Sequence, residues 1–181
     1  RKLLKKTPLY SVFFRYNHFR YFTYPKKKKY FKEYINTLKR ENFPSLYFDK
    51  PTVVNFNAND ICNSKCTMCN IWQQKKDHEI TPQELEAVLK DPLFSEVTHI
   101  GITGGEPTLR EDLPQLYQAA INALPHIKGL SIITNAIKNE DVIARIDKVI
   151  QVVRGNGKHF SMMVSLDGYG VVHDKIRGRD G

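Results

Sequence analysis

From Thr52 onward the chain alternates strand-like and helix-like segments, and this rhythm restricts the fold more than any other feature. Thr52–Asn57 is β-branched and alternating, as a strand requires. Thr81-Pro-Gln-Glu opens a helix, with Thr81 as cap, Pro82 at the first helical position and Glu84 closing a capping box. Leu85, Val88 and Leu89 continue it at helical spacing. Val97–Thr103 reads as the second strand and Leu113–Ala123 as the second helix. Leu130–Thr134 is the third strand, Asp141–Val153 the third helix and Phe160–Leu166 the fourth strand, with a further helix or turn from Val171. Four βα units in succession predict an α/β fold with a parallel sheet. Right-handed crossovers would curl that sheet toward a TIM-like barrel, of which these units form part.

In such folds function gathers at the C-terminal ends of the strands. Each unusual polar motif falls there. The cysteines follow strand one, Gly104-Gly105-Glu106-Pro107 follows strand two, Thr134-Asn135 follows strand three, and Ser165-Leu166-Asp167-Gly168 follows strand four.

Cys62, Cys66 and Cys69 are the only cysteines and form a CxxxCxxC loop. A disulfide framework uses an even number of cysteines spread along a chain. Three clustered thiols suit a soft metal or an iron–sulfur cluster in a reducing compartment. Structural zinc takes four protein ligands, so zinc here needs a fourth, such as His78. A cubane cluster held by three cysteines instead leaves one iron open for a substrate. Both readings stand on spacing alone. Gly104 and Gly105 let backbone approach a ligand or adopt positive φ, and Glu106 offers an anionic acceptor. Pro107 stiffens the exit from the strand. GGEP alone is also an ordinary tight turn, Asp167 before Gly168 a turn residue, and Asn135 a cap for the third helix. His99, His126 and His159 fall in or beside regular elements and read as structural.

These motifs, in this order over most of residues 51–181, resemble the radical S-adenosylmethionine (radical SAM) superfamily. Ser165-Leu-Asp-Gly with His173-Asp-Lys-Ile-Arg177-Gly178 is most similar to the branch that includes molybdenum-cofactor biosynthesis and SPASM-type peptide-modifying enzymes. The resemblance implies a 4Fe–4S cluster on Cys62, Cys66 and Cys69. Its open iron would chelate the amino and carboxylate groups of S-adenosylmethionine, whose reductive cleavage yields a 5′-deoxyadenosyl radical. It also implies an electron donor such as flavodoxin or ferredoxin. By the same resemblance the cofactor-binding residues are Gly104, Gly105, Glu106 and Pro107 near the methionine amino group, and Ser165 and Arg177 at its carboxylate. Asn135, Asp167 and Met68 complete the set. Met68 departs from the pattern, since the residue before the last cysteine is often aromatic in the family. Trp72 reads as a shield for the cluster. A full radical domain of this type has about six βα units, so residues 51–181 would be its N-terminal portion. The start at Arg1 and the stop at Gly181 fit a piece of a longer chain. The substrate, a small molecule or a peptide, is not legible. The alternative is a non-catalytic zinc- or iron–sulfur-binding interaction module.

Residues 1–50 differ in kind. They hold 14 Lys/Arg against 3 Asp/Glu and 14 of the 20 aromatic residues, whereas residues 51–181 are slightly acidic. The shift marks a boundary between a basic, aromatic extension and the domain. The extension could pack on the barrel or lie on an anionic membrane surface. A nucleic-acid grip is the weakest reading, since no RNA-binding module is recognisable. No apolar run reaches the roughly 18–20 residues of a membrane span, and no signal peptide is visible. The expected location is cytoplasmic, peripheral to the membrane if the extension binds lipid.

Overall fold

The computed structural model describes residues 34–38, 50–74, 79–137 and 139–180. The chain divides into two units, Arg1–Asp49 and Lys50–Gly181. In the first, residues 34–38 are helical. The other expectations for the extension lie outside the described residues, as does His78.

The second unit is a four-stranded parallel sheet in the order β1-β2-β3-β4. The strands are β1 (Val53–Asn57), β2 (His99–Thr103), β3 (Gly129–Thr134) and β4 (His159–Val164). The helices between and after them are α1 (Pro82–Leu89), α2 (Leu113–Ala123), α3 (Asn139–Gly155) and α4 (Val171–Arg177). Register is regular: Val53 pairs with His99, His99 with Gly129, and Gly129 with His159. Because all four strands run the same way, their C-terminal ends form one rim.

The local signals act as chemistry dictates. Thr81 accepts from the Glu84 amide at 3.2 Å while the Glu84 carboxylate accepts from the Thr81 amide at 2.8 Å, so two otherwise orphaned donors of α1 are satisfied reciprocally. The apolar stripes of α1, α2 and α3 then turn onto the sheet. Leu85, Leu89, Leu113, Leu116, Ala120, Val142, Ile146, Val149 and Val153 join Ile100, Ile102, Leu130 and Ile132 in one buried cluster. Tyr117 is fully buried within it, and its hydroxyl donates to the Ser131 carbonyl at 3.0 Å. Burial pushes the Tyr117 phenol far above its ordinary range, as expected for a hydroxyl with no solvent to stabilise its anion. His99 Nε2 lies 3.0 Å from Ser131 Oγ, a satisfied structural histidine. His126 and His159 are exposed. Among the described residues no helix is long and apolar enough to cross a membrane.

One buried cation controls the base of the cysteine loop. Arg110 donates from Nη1 to the Ala58 carbonyl at 2.6 Å and from Nη2 to the Ile80 carbonyl at 3.0 Å. Those two residues flank the loop, so Arg110 clasps it shut at the end of β1. Asp112 pairs with the same guanidinium at 2.8 and 2.7 Å. Those hydrogen bonds and the guanidinium charge hold the Asp112 carboxyl below the usual carboxylate range, against an opposing push from partial burial. A depressed carboxyl stabilises the fold above its unfolded pKa and loses that contribution as acid protonates it. Arg110→Ala should therefore cost about 2–4 kcal/mol at neutral pH, because one buried and one half-buried carbonyl lose their donor. The gap to the wild type should narrow below about pH 4. Thermal unfolding of both proteins across pH checks both parts.

Candidate functional site

The cysteine loop leaves β1 and crosses the rim. Ala58 still pairs in the sheet, its amide donating to the Thr103 carbonyl at 2.7 Å. Beyond it the loop is stitched to the turn after β2: Gly105 N–H donates to Asn59 O at 2.8 Å, and Glu106 N–H to Ile61 O at 2.7 Å. Asn59 Nδ2 returns a bond to Glu106 O at 3.0 Å. Here the two glycines have their reason. A Cβ on Gly104 would meet Asn59 O at 2.5 Å, and one on Gly105 would collide with Ile61 O. Their close backbone approach is thus to the chain's own cysteine loop.

Glu106 is the centre of this arrangement and is 1% exposed. Its Oε1 accepts from the Thr108 amide at 3.1 Å, from Thr108 Oγ1 at 2.5 Å and from Thr134 Oγ1 at 2.8 Å. Its Oε2 accepts from the Asn135 amide at 2.7 Å. Four donors of the chain converge on one carboxylate, tying the end of β2 to the end of β3. Three of the four donors fall on Oε1, whereas Oε2 takes one and keeps acceptor capacity for a further donor. Pro107 is buried beside it and begins a short 3-10 turn.

Asn135 stands next to the cysteines. Its Nδ2 donates to Asn63 Oδ1 at 2.8 Å and approaches Cys62 Sγ at 3.8 Å, while its Oδ1 accepts from the Ile137 amide at 3.0 Å. It does not cap α3, which begins at Asn139. Ala136 follows with φ 56°, a left-handed conformation that costs a non-glycine residue on the order of 1 kcal/mol. Its amide bond to Thr134 Oγ1 at 3.0 Å helps to hold it there.

Of the three thiols, Cys66 is buried and Cys62 and Cys69 are half-buried; none is in a disulfide. Burial pushes the Cys62 thiol up. The Ser64 amide partly reverses this, and the negative charges of Glu106, Cys66 and Cys69 add to the upward push. Ser64 Oγ lies 3.2 Å from Cys66 Sγ, and Arg177 Nη1 donates to the same sulfur at 3.5 Å. Arg177 comes from the end of α4, and its Nε sits 2.6 Å from Asp167 Oδ2 in an ion pair aligned poorly for a hydrogen bond. Ser165 is half-buried, with its amide on the Thr134 carbonyl at 2.9 Å. Met68 is exposed at the tip of the loop. Lys65 Nζ lies 5.9 Å from the centre of the Trp72 ring, a cation–π distance.

A family model described as "Radical SAM superfamily" matches residues 56–181. The chain belongs to the radical SAM superfamily. These are enzymes that work with a 4Fe–4S cluster and S-adenosylmethionine, and several curated members share sequence with this chain. Fe-coproporphyrin III synthase of Methanosarcina barkeri is 33% identical over 137 residues, which are 74% of this chain and 31% of that protein. GTP 3′,8-cyclase of Vibrio atlanticus is 27% identical, over 58% of this chain and 33% of that one. Mycofactocin maturase MftC of Mycolicibacterium smegmatis is 26% identical over 72% and 31%. The chain spans about a third of the length of these relatives. The fold is that of Streptococcus suis SuiB. The structure of SuiB bound to its precursor peptide SuiA superposes with TM-score 0.58, 20% identity and coverage of 82% of this chain and 31% of that one. SuiB bound to S-adenosylmethionine gives 0.54, at 22% identity, over 84% and 40%. The partial TIM-like barrel expected of a radical SAM domain is therefore the fold observed.

The residues at the rim fit the family's cluster. Three soft thiolate donors lie on one loop. Asn63 Nδ2, inside the cysteine loop, is a buried donor without a partner, as suits a residue facing sulfur acceptors. Sequence reasoning missed Asn63, Ser64 and Arg110. Asn63 and Ser64 lie between cysteines already singled out, whereas Arg110 carries no local signal, since its partners are 52 and 30 residues away.

The four internal hydrogen bonds of Glu106 make a sharp expectation. Glu106→Gln would set an amide N–H₂ against either the Asn135 amide or the donors of Thr108 and Thr134. It should destabilise the domain by about 1–3 kcal/mol. Calorimetric melting of the variant, cluster absent, checks this. An unchanged melting temperature would show that these four bonds do not hold the rim together.

Proposed function

We propose that this domain holds a 4Fe–4S cluster on Cys62, Cys66 and Cys69 and uses it to cleave S-adenosylmethionine reductively. The supporting observation is the convergence of the three-cysteine loop with the ends of β2, β3 and β4 at one rim, in a chain of the radical SAM superfamily. Chemistry supplied by the bound cluster is one-electron reduction of the sulfonium, giving methionine and a 5′-deoxyadenosyl radical that takes hydrogen from the substrate. The chain's own part is to bind, orient and exclude water.

The division of labour follows from which groups remain available. Gly104, Gly105, Glu106 and Pro107 would offer backbone to the methionine ammonium, the Glu106 side chain serving as the internal tie and its Oε2 as a further acceptor. Arg177 spends Nε on Asp167 and Nη1 on Cys66, leaving Nη2 for an incoming carboxylate, with Ser165 beside it as a hydroxyl donor. A guanidinium already fixed by two partners loses little rotamer freedom on meeting that carboxylate. Asp167 then acts by aiming Arg177 and not by touching the cofactor. Asn135 holds Asn63 and approaches Cys62, so its place is at the cluster's edge. Met68 on the exposed loop tip would cover the adenine side. Trp72, with Lys65 over its ring, would cap the loop.

Flavodoxin or ferredoxin would supply the electron. The substrate is a small molecule or a peptide: the similar proteins include one named for a GTP cyclisation and one solved with a precursor peptide. The basic extension is proposed to meet either the barrel or an anionic lipid surface.

Anaerobic reconstitution with iron and sulfide, then dithionite and S-adenosylmethionine, tests the proposal through 5′-deoxyadenosine detected by liquid chromatography. The wild type should form it. Cys62→Ala, Cys66→Ala and Cys69→Ala should each lower it to background. Cleavage retained by the triple variant would overturn the assignment, and stoichiometric zinc with no response to S-adenosylmethionine would favour the interaction-module reading.

A further inference from the structure

The cysteine loop has a second anchor that its sequence does not announce. Helix α4 ends at Arg177, and its last carbonyls lack partners within the helix. They are taken by the cysteine loop, more than a hundred residues earlier in the chain. Lys65 N–H donates to Arg177 O at 3.1 Å, Thr67 N–H to Ile176 O at 2.9 Å, and Ser64 Oγ to Arg177 O at 2.8 Å. Arg179 Nη1 returns a bond to Asn63 O at 3.1 Å. Residues 63–67, which separate and include Cys66, are thus bonded across to the C-terminus of α4.

This contact needs Gly178. It is the residue after the helix and lies in the left-handed region, φ 63°. A Cβ there would fall inside the radius of Lys65 O and would meet the Lys65 carbonyl carbon at 2.9 Å. Both atoms belong to the cysteine loop's backbone, so no side chain can swing aside to make room. Gly157 provides a natural comparison. It is also left-handed, φ 69°, at the end of α3, but a Cβ there would meet nothing within 4 Å.

We infer that Gly178 is a positioning residue for the cluster: it lets the C-terminus of α4 clamp the loop that carries Cys66, so the placement of that thiol depends on a glycine more than a hundred residues away. The inference rests on the cluster reading above but has its own test. The full-length protein is prepared as wild type, Gly178→Ala, Gly157→Ala and Arg179→Ala, with folding followed by far-UV circular dichroism. Two quantities are measured: iron and sulfide per chain after anaerobic reconstitution, and the rate of Cys66 alkylation by a maleimide in the cluster-free protein, resolved by mass spectrometry. Gly178→Ala should lose most of its iron and sulfide and alkylate Cys66 several-fold faster. Gly157→Ala should match the wild type in both, because it carries the backbone strain without the collision. Arg179→Ala, which removes one exposed contact, should speed alkylation by a smaller factor, and it decides the matter if Gly178→Ala fails to fold. Wild-type rates and cluster content in Gly178→Ala, or an unchanged Arg179→Ala rate where Gly178→Ala cannot be measured, would overturn the clamp. If the wild type took up no cluster while the alkylation rates still separated as described, the clamp would stand and the cluster reading would fall.

Discussion

A buried carboxylate organises the rim on which the rest of this domain's chemistry depends. Glu106 receives donors from its own turn, from the hydroxyl that ends β3 and from the first amide beyond it. Burying a carboxyl group is costly unless it is hydrogen-bonded, and four donors meet that condition here. The sheet ladder sets the spacing of β2 and β3, and Glu106 extends that tie past the strand ends into the turn to which the cysteine loop is stitched. The cysteines are placed by backbone bonds to this turn on one side and to the C-terminus of α4 on the other.

Much of the fold was legible because local and tertiary preferences agree. The capping box at Thr81, the apolar spacing of α2 and the β-branched β1 formed as the sequence indicates, and the rim followed from parallel order alone. Strand limits moved where a signal was weak. Val97 is apolar enough to read as strand, yet it is buried in the turn before β2, which starts at His99. Ser165 and Leu166 read as the end of β4, but the strand stops at Val164, where its pairing with Thr134 ends. Helix α3 starts two residues earlier than its apolar stripe suggests, because Asn139 and Glu140 suit a first turn without contributing to the stripe.

The candidate site was legible as a set of residues that the fold brings to one rim, and less so as a set of contacts. Spacing and order identify Cys62, Cys66 and Cys69, GGEP, Asn135, Ser165 and Arg177. They do not reveal that the GGEP glycines are small to admit the cysteine loop, or that its glutamate faces inward. Nor can they reveal that Asp167 pairs with Arg177, since that ion pair depends on how α4 folds back. Roles of this kind are set by contacts between elements distant in sequence.

The central claim is that three cysteines at this rim leave a fourth iron open to S-adenosylmethionine. It is tested most directly by electron spin resonance of the reconstituted, dithionite-reduced protein at low temperature, before and after S-adenosylmethionine is added. An open iron that gains amino and carboxylate ligands should shift the g-values of the reduced cluster, saturably with S-adenosylmethionine. A cluster signal identical with and without S-adenosylmethionine, in protein with full iron and sulfide content, would contradict it.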